Sequence, residues 1–347
     1  MSRVIYYIGA GASYGKRTID DSGLQIIEEG LPVVSEIDKE LISFRNYLAG
    51  IEVKRDECYV FKNLYSTTGE SVIPVKAEIL QDLDNLIQNA KDHATIDTYA
   101  RKLFLTRRRR DFEKLKCLLC AFFIWEQLTH KLDQRYDTFL ANVLSMQNLY
   151  LPPHISVISW NYDSQFELAY RYYTKNGTLA IYDKNKDGIW DKLKDFGRIF
   201  KVNGSATFSN INDLLNIIDD STIPQGIQLL MFYGDALADT SQLGVQFKSH
   251  VSFAWEESEN NANMLASITD SVAGAETVVV IGYSFPFFNR DTDRFIFSKM
   301  EKLKKVYIQD PNPEAVEPSL KAVLSEGTNI KIEYQKDCSQ FYLPREL

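Results

Sequence analysis

Apolar residues follow two rhythms along this chain. Unbroken β-branched and aromatic runs occur at Val4-Ile5-Tyr6-Tyr7-Ile8, His154 to Trp160, Gly197 to Val202, Thr277 to Ile281, Lys305 to Gln309 and Ile330 to Tyr334. Runs of this length are how strands buried on both faces of a parallel sheet read. From about position 36 to about 150, apolar residues instead return every three or four positions, as in Ile79, Leu80, Leu83, Leu86 and Ile87. That spacing predicts helices. Ser35 with Asp38 three residues on predicts a helix start, and Phe112 to Leu132 predicts a long helix apolar enough for a core. Residues 14–32, with Asp20-Asp21-Ser22-Gly23 and Gly30-Leu31-Pro32, carry little periodicity. They predict a long polar loop that either folds over a ligand or lies on the surface. Residues 206–252 show no readable pattern. The class is α/β: a parallel sheet interrupted by a helical insertion.

Composition narrows this picture. The chain has 347 residues, is 45% hydrophobic and 25% charged, and carries a net charge of −8. That is room for one large domain with an insert, or for two. The acidic balance argues against direct nucleic-acid binding, which draws its affinity from a basic surface. No apolar run approaches the length of a membrane span, and the first strand begins at once after Met1, so a cytoplasmic protein is expected. Four cysteines, Cys58, Cys117, Cys120 and Cys338, are too scattered for a disulfide scaffold. Cys117 and Cys120 have metal-ligand spacing but no second pair, so they predict buried core thiols rather than zinc ligands. Arg107 to Arg110 predicts a solvated helix end. The run from Asp183 to Gly188 imitates a calcium loop, but Lys194 stands where a bidentate Glu belongs. No metal is expected.

Chemistry collects where the strands end. The first strand breaks into Gly9-Ala10-Gly11-Ala12-Ser13. Glycines there let backbone amides approach a pyrophosphate that any Cβ would hold off. A tight turn without a ligand is the alternative. The third glycine of the usual dinucleotide fingerprint is missing, with Tyr14 in its place. The second strand ends at Asn161-Tyr162-Asp163, the third at Asn203-Gly204-Ser205, the fourth at Gly282-Tyr283-Ser284-Phe285-Pro286 and the fifth at Asp310-Pro311-Asn312-Pro313. Polar residues at the C-terminal ends of parallel strands are where such folds place their chemistry. Asn161 or Asp163 could equally cap the following helix.

Five such blocks in this order resemble the SIR2 (sirtuin) superfamily, and more closely its bacterial SIR2-like branch from antiphage defence. The resemblance implies a Rossmann-like parallel sheet with helices on both faces, formed by 1–35 and 151–347, with 36–150 as a large helical insertion. It implies NAD+ as substrate. Gly9, Ala10, Gly11, Ala12 and Ser13 would line the pyrophosphate and the nicotinamide-side ribose. Asn161 would help position the attacking water, and Asp163 would lie near the carboxamide. Gly204 and Ser205 belong to the third block. Gly282 and Ser284 would sit by the adenosine phosphate and ribose, with Asp310 and Asn312 near the adenosine ribose. The family's defence members imply a homo-oligomer and a possible HerA-type ATPase partner.

Two departures from the family's pattern shape the expected activity. The stretch after Ser205 has no cysteine until Cys338, so the zinc ribbon of sirtuin deacetylases is missing. Asn203 replaces the family's usual histidine, and an amide accepts no proton near neutral pH. Of the four histidines, His154 lies at the wrong end of its strand and His250 is expected at the surface. The expected activity is NAD+ hydrolysis to nicotinamide and ADP-ribose, with Asn161, Asp163 and Asn203 as the catalytic set. The alternative is a weak or inactive NAD- or ADP-ribose-binding subunit.

Overall fold

The computed structural model describes residues 3–61, 65–144, 149–175, 180–183, 197–208, 223–238, 248–256, 259–325, 327 and 329–347. The chain divides into two compact units. One comprises 1–31, 130–204 and 252–347, the other 32–129 and 205–251.

The first unit is built on a seven-stranded sheet. Its strands are β1 (Arg3–Ile8), β6 (Ile155–Ser159), β7 (Ala180–Asp183), β8 (Arg198–Lys201), β9 (Ala275–Ile281), β10 (Lys305–Gln309) and β11 (Lys331–Gln335). They lie in the order β11-β10-β9-β1-β6-β8-β7, and every neighbouring pair is parallel. Without the edge strand β7, this is the order of a dinucleotide-binding sheet, with its topological switch between β1 and β9. The six strands read from the apolar runs all form. β7 is an addition.

Alternation along each strand divides the core between two faces. Val4, Tyr6 and Ile8 point to one face, with α5 (Gln134–Val143) and α6 (Gln165–Thr174) supplying Tyr136, Phe139 and Phe166. Ile5 and Tyr7 point to the other, where α8 (Glu259–Val272), α9 (Arg290–Ser298) and α10 (Pro313–Lys321) supply Ile268, Ile296 and Leu320. The sheet is therefore covered by helices on both faces, as a fully parallel sheet must be.

Residues 14–32 are not a loop. They form an antiparallel hairpin, β2 (Lys16–Ile19) with β3 (Gln25–Glu29). The Asp20 carboxylate accepts from the Ser22 and Leu24 amides and closes its turn. The strands escape a periodicity test because both sides of the hairpin carry polar or exposed residues.

The second unit holds α1 (Ile37–Gly50), the hairpin β4 (Cys58–Phe61) and β5 (Tyr65–Thr68), α2 (Gly69–Asp92), α3 (Ile96–Leu105), α4 (Arg109–Thr129) and α7 (Gln225–Leu237). The helical insertion thus contains a short hairpin. Its bounds also differ from 36–150: α5 belongs to the sheet unit, because Tyr136 and Phe139 pack into the sheet's core. Residues 205–251 join the helical unit, where Tyr233 of α7 donates to Asp82 of α2. α1 starts after Glu36 rather than at Ser35, and the Glu36 carboxylate caps back onto the Val33 amide. Cys117 and Cys120 are buried in α4, and Arg107 to Arg110 are exposed. The stretch from Lys184 to Lys194 lies outside the described residues. Among the described residues, no helix is long and apolar enough to cross a membrane.

Candidate functional site

At the switch between β1 and β9, two glycine turns touch. The chain leaves β1 at Gly9 and makes one 3-10 turn, Ala10–Ser13. The Gly9 amide donates to Ile281 O at 3.1 Å, and the Gly11 amide to Gly282 O at 3.0 Å. A Cβ on Gly9 would lie 2.7 Å from both Gly282 O and the Tyr283 ring, and one on Gly11 would lie 2.7 Å from Gly282 Cα. Gly282 itself has φ +56, where other residues are strained. Each glycine is therefore required by the chain itself. The Ala12 and Tyr14 amides turn back onto Gly9 and Gly11 carbonyls. Ala10 is exposed, and its amide has no hydrogen-bond acceptor among the described residues. It is the turn's open donor.

The turn's carbonyls are pinned from outside. Asn161, one residue past Trp160 at the end of β6, is 7% exposed. Its Nδ2 donates to Gly9 O at 2.9 Å and Ser13 Oγ at 3.3 Å. The Tyr136 hydroxyl lies 2.9 Å from the same Ser13 Oγ. Arg135 Nη2, paired with Asp133, donates to Gly11 O and Ala12 O at 3.1 and 3.2 Å. The Leu31 amide donates to Ser13 O. With both Nδ2 protons spent on the turn, Asn161 has its Oδ1 left, and no described group donates to it.

Asp163 is buried, and its Oδ1 accepts from the Gln165 amide at 3.0 Å, the first residue of α6. Asp163 thus ties itself to the start of α6, whose N-cap position is Ser164. Behind it lies Lys201, at the end of β8 and 2% exposed, which donates to the Asp163 carbonyl and sits 3.3 Å from Glu167 Oε1. Burial raises the Glu167 carboxyl above its ordinary range despite the pull of Lys201.

Asn203 follows on the next strand end. Its Nδ2 donates to Trp160 O at 3.3 Å, and its buried Oδ1 has no donor among the described residues. Gly204 has φ +73, the left-handed turn that glycine favours. Ser205 falls in the second unit, where its amide donates to His250 O. His250 is buried there, correcting its expected surface position: its own amide donates to Thr207 O.

The remaining site residues stand apart. Ser284 is exposed. Asp310 Oδ1 accepts from the Asn312 amide at 2.8 Å, and Asn312 is the N-terminal flank of α10. Among the described residues, no hydrogen bond joins these three to the group around Gly9 and Asn161. Hydrogen bonds and the glycine contact thus gather Gly9 through Ser13, Asn161 and Gly282, with Asn203 joined through Trp160 O.

Several residues of this site lay outside the strand-end blocks. Arg135 and Tyr136 sit in a stretch that reads as insertion, and only the tertiary fold returns them to the glycine turn. Lys201 reads as one more strand residue. A fourth group lies beneath Gly282. Tyr7 and Tyr283 donate their hydroxyls to Asp293, the latter at 3.0 Å. Asn289 Nδ2 donates to the Tyr283 hydroxyl at 2.9 Å, and the Trp160 and Tyr283 rings stack with centroids 5.6 Å apart. One signal could have found Asp293. It shares the helical stripe of Ile296, Phe297 and Met300, a carboxylate on an apolar face.

The arrangement offers an open amide at Ala10 and open amide oxygens on Asn161 and Asn203, all at C-terminal strand ends. These suit a ligand bearing both phosphate and hydroxyl or carboxamide groups. No model of a known protein family matches the chain, and no curated protein matches it either.

Proposed function

We propose that this chain is an NAD+ hydrolase of the SIR2-like kind, releasing nicotinamide and ADP-ribose. The observation that carries this reading is Asn161: buried, its Nδ2 fixed on Gly9 and Ser13, and its Oδ1 left to a water or a ribose hydroxyl. Its position beside the switch of a parallel sheet supports a nucleotide substrate. The exposed Ala10 amide would meet a phosphate oxygen.

In the reaction, the bond between the ribose C1′ and the pyridinium nitrogen breaks. Its electron pair neutralises the nicotinamide ring, and the sugar passes through an oxocarbenium-like state. Water adds at C1′ and its surplus proton leaves to solvent, because Asn203 cannot take it. A missing general base lowers the rate by about 10²–10⁴. Positioning and electrostatics carry the rest, since the leaving group is already cationic. Asn161 orients the nucleophile, and Asn203 Oδ1 accepts from a hydroxyl or carboxamide of the substrate. Asp163 acts through α6, whose first amide it holds. The output would be NAD+ depletion in antiphage defence, within a homo-oligomer or alongside a HerA-type ATPase.

The test is nicotinamide release by wild type, Asn161→Ala and Asn203→His, with and without such an ATPase. Turnover in wild type that Asn161→Ala abolishes supports hydrolysis. A second reading, an NAD- or ADP-ribose-binding subunit without turnover, is favoured by one observation: an acceptor amide, Asn203, stands where a proton acceptor is needed. Saturable binding with no nicotinamide release in any arm would establish it.

A further inference from the structure

We propose that Asp293 is a positioning residue of the strand-end site: as a carboxylate it holds Tyr283 so that the ring fixes Trp160 and the Gly9 turn, and on protonation it releases them. That the positioned group serves NAD+ rests on the hydrolase reading; the contacts themselves do not.

Asp293 is 0% exposed. Burying an uncompensated carboxylate is costly, and an apolar residue would fill the same space without that cost. The groups facing it are Tyr7 from β1 and Tyr283 from the turn after β9, with Asn289 behind the Tyr283 hydroxyl. Among the described residues, no lysine, arginine, histidine or second carboxylate bonds to or pairs with it. Burial pushes its carboxyl up to about 7, with the two tyrosine hydroxyls pulling the other way. Such a carboxylate, one hydrogen bond from the ring that packs against Gly9, is a candidate for a role at the site.

The hydrogen-bond pattern makes the two protonation states unequal. Asn289 occupies a lone pair of the Tyr283 oxygen, which turns the Tyr283 proton toward Asp293. Tyr7 donates to Oδ1, which Tyr283 also reaches at 3.3 Å, while Oδ2 accepts from Tyr283 alone, at 3.0 Å. A carboxylate accepts both protons. A carboxylic acid carries its own proton on one oxygen and accepts on the other; with that proton on Oδ2, Tyr7 keeps its bond and Tyr283 loses its shorter one, leaving only the 3.3 Å contact to Oδ1. The Tyr283 ring is what a Cβ on Gly9 would strike at 2.7 Å, and it stacks on Trp160, whose carbonyl holds Asn203. Movement of that ring therefore reaches the β1, β6 and β8 ends of the site together.

The test uses full-length wild type, Asp293→Asn and Tyr283→Phe between about pH 5.5 and 8.5, a range that brackets the shifted carboxyl. Two readouts are taken at each pH: the aromatic circular dichroism of the unliganded protein, and NAD+ affinity by calorimetry. In wild type, the aromatic signal is expected to change with a midpoint near 7. NAD+ should bind on the order of tenfold more weakly on the acid side, the scale of a modest misplacement. Asp293→Asn, which cannot ionise, should be flat in both readouts and hold the acid-side values. Tyr283→Phe keeps the ring but removes one donor to the carboxylate, so the midpoint should move upward. It also covers the case in which Asp293→Asn does not fold.

A wild type with no aromatic transition overturns the proposal, as does a transition that persists in Asp293→Asn. So does a Tyr283→Phe midpoint that stays where wild type has it. A transition that Asp293→Asn removes, in a protein that binds no NAD+ at any pH, upholds the Asp293 contact as a lever and overturns the NAD+ reading alone.

Discussion

Single side chains decide this site through what they exclude as much as through what they bind. Gly282→Ala would place a methyl 2.3 Å from Gly11 Cα at a residue with φ +56. The strain should cost roughly 1–3 kcal/mol, readable as a lower midpoint in urea. Lys201→Met should cost more, about 3–5 kcal/mol, because it leaves Glu167 buried without its cation. The double variant Lys201→Met/Glu167→Gln should recover much of that loss in the same measurement. Asp293 gives a pH-dependent result. Its carboxyl is raised in the fold to about 7 from 3.8, so its contribution to stability is full below the lower value and lost as pH rises through the higher. Melting temperatures of Asp293→Asn relative to wild type should therefore improve steadily between those two values.

At the scale of elements, the hairpin β2–β3 and the helix α5 changed the reading most. Amide exchange distinguishes hairpin from loop: the paired amides of Thr18 and Ile26 should exchange more slowly than that of Asp21 at the tip. α5 reaches the glycine turn through Tyr136. Tyr136→Phe keeps the ring contacts with Phe166 and Phe341 but loses the bond to Ser13. About 1 kcal/mol of stability should go with it, measured by urea denaturation. The strands of the sheet were legible because burial on both faces leaves no room for polar residues, a pattern that survives in one dimension. Asn161 was legible for the same reason, as the first amide after such a run. Arg135, Tyr136 and Lys201 were not, because what makes each of them part of the site is a partner 38 or more positions away. The same limit applies to the two glycines: their spacing could be read, but the backbone that demands it lies in another strand's turn.

For the whole molecule, the division into units follows packing rather than order along the chain. The chain passes between units at 31–32, 129–130, 204–205 and 251–252, so neither is a continuous segment. If NAD+ binds the native state alone, a hundredfold excess over Kd stabilises it by about 2.7 kcal/mol. Thermal shift with NAD+ should then rise with ligand concentration in wild type and fall away in Asn161→Ala.

The contact of Gly9 and Gly11 with Gly282 has one more consequence, in the space of possible sequences. Most tight pairs in a core have a second solution, in which one partner grows as the other shrinks. Here each glycine also meets backbone, Gly282 O for Gly9 and Gly282 Cα for Gly11, which no partner substitution can shrink. A library randomising these three positions together should return glycine at each of them, with no compensating combinations. Statistical coupling between them should be near zero, although few residues in the molecule depend on each other more directly.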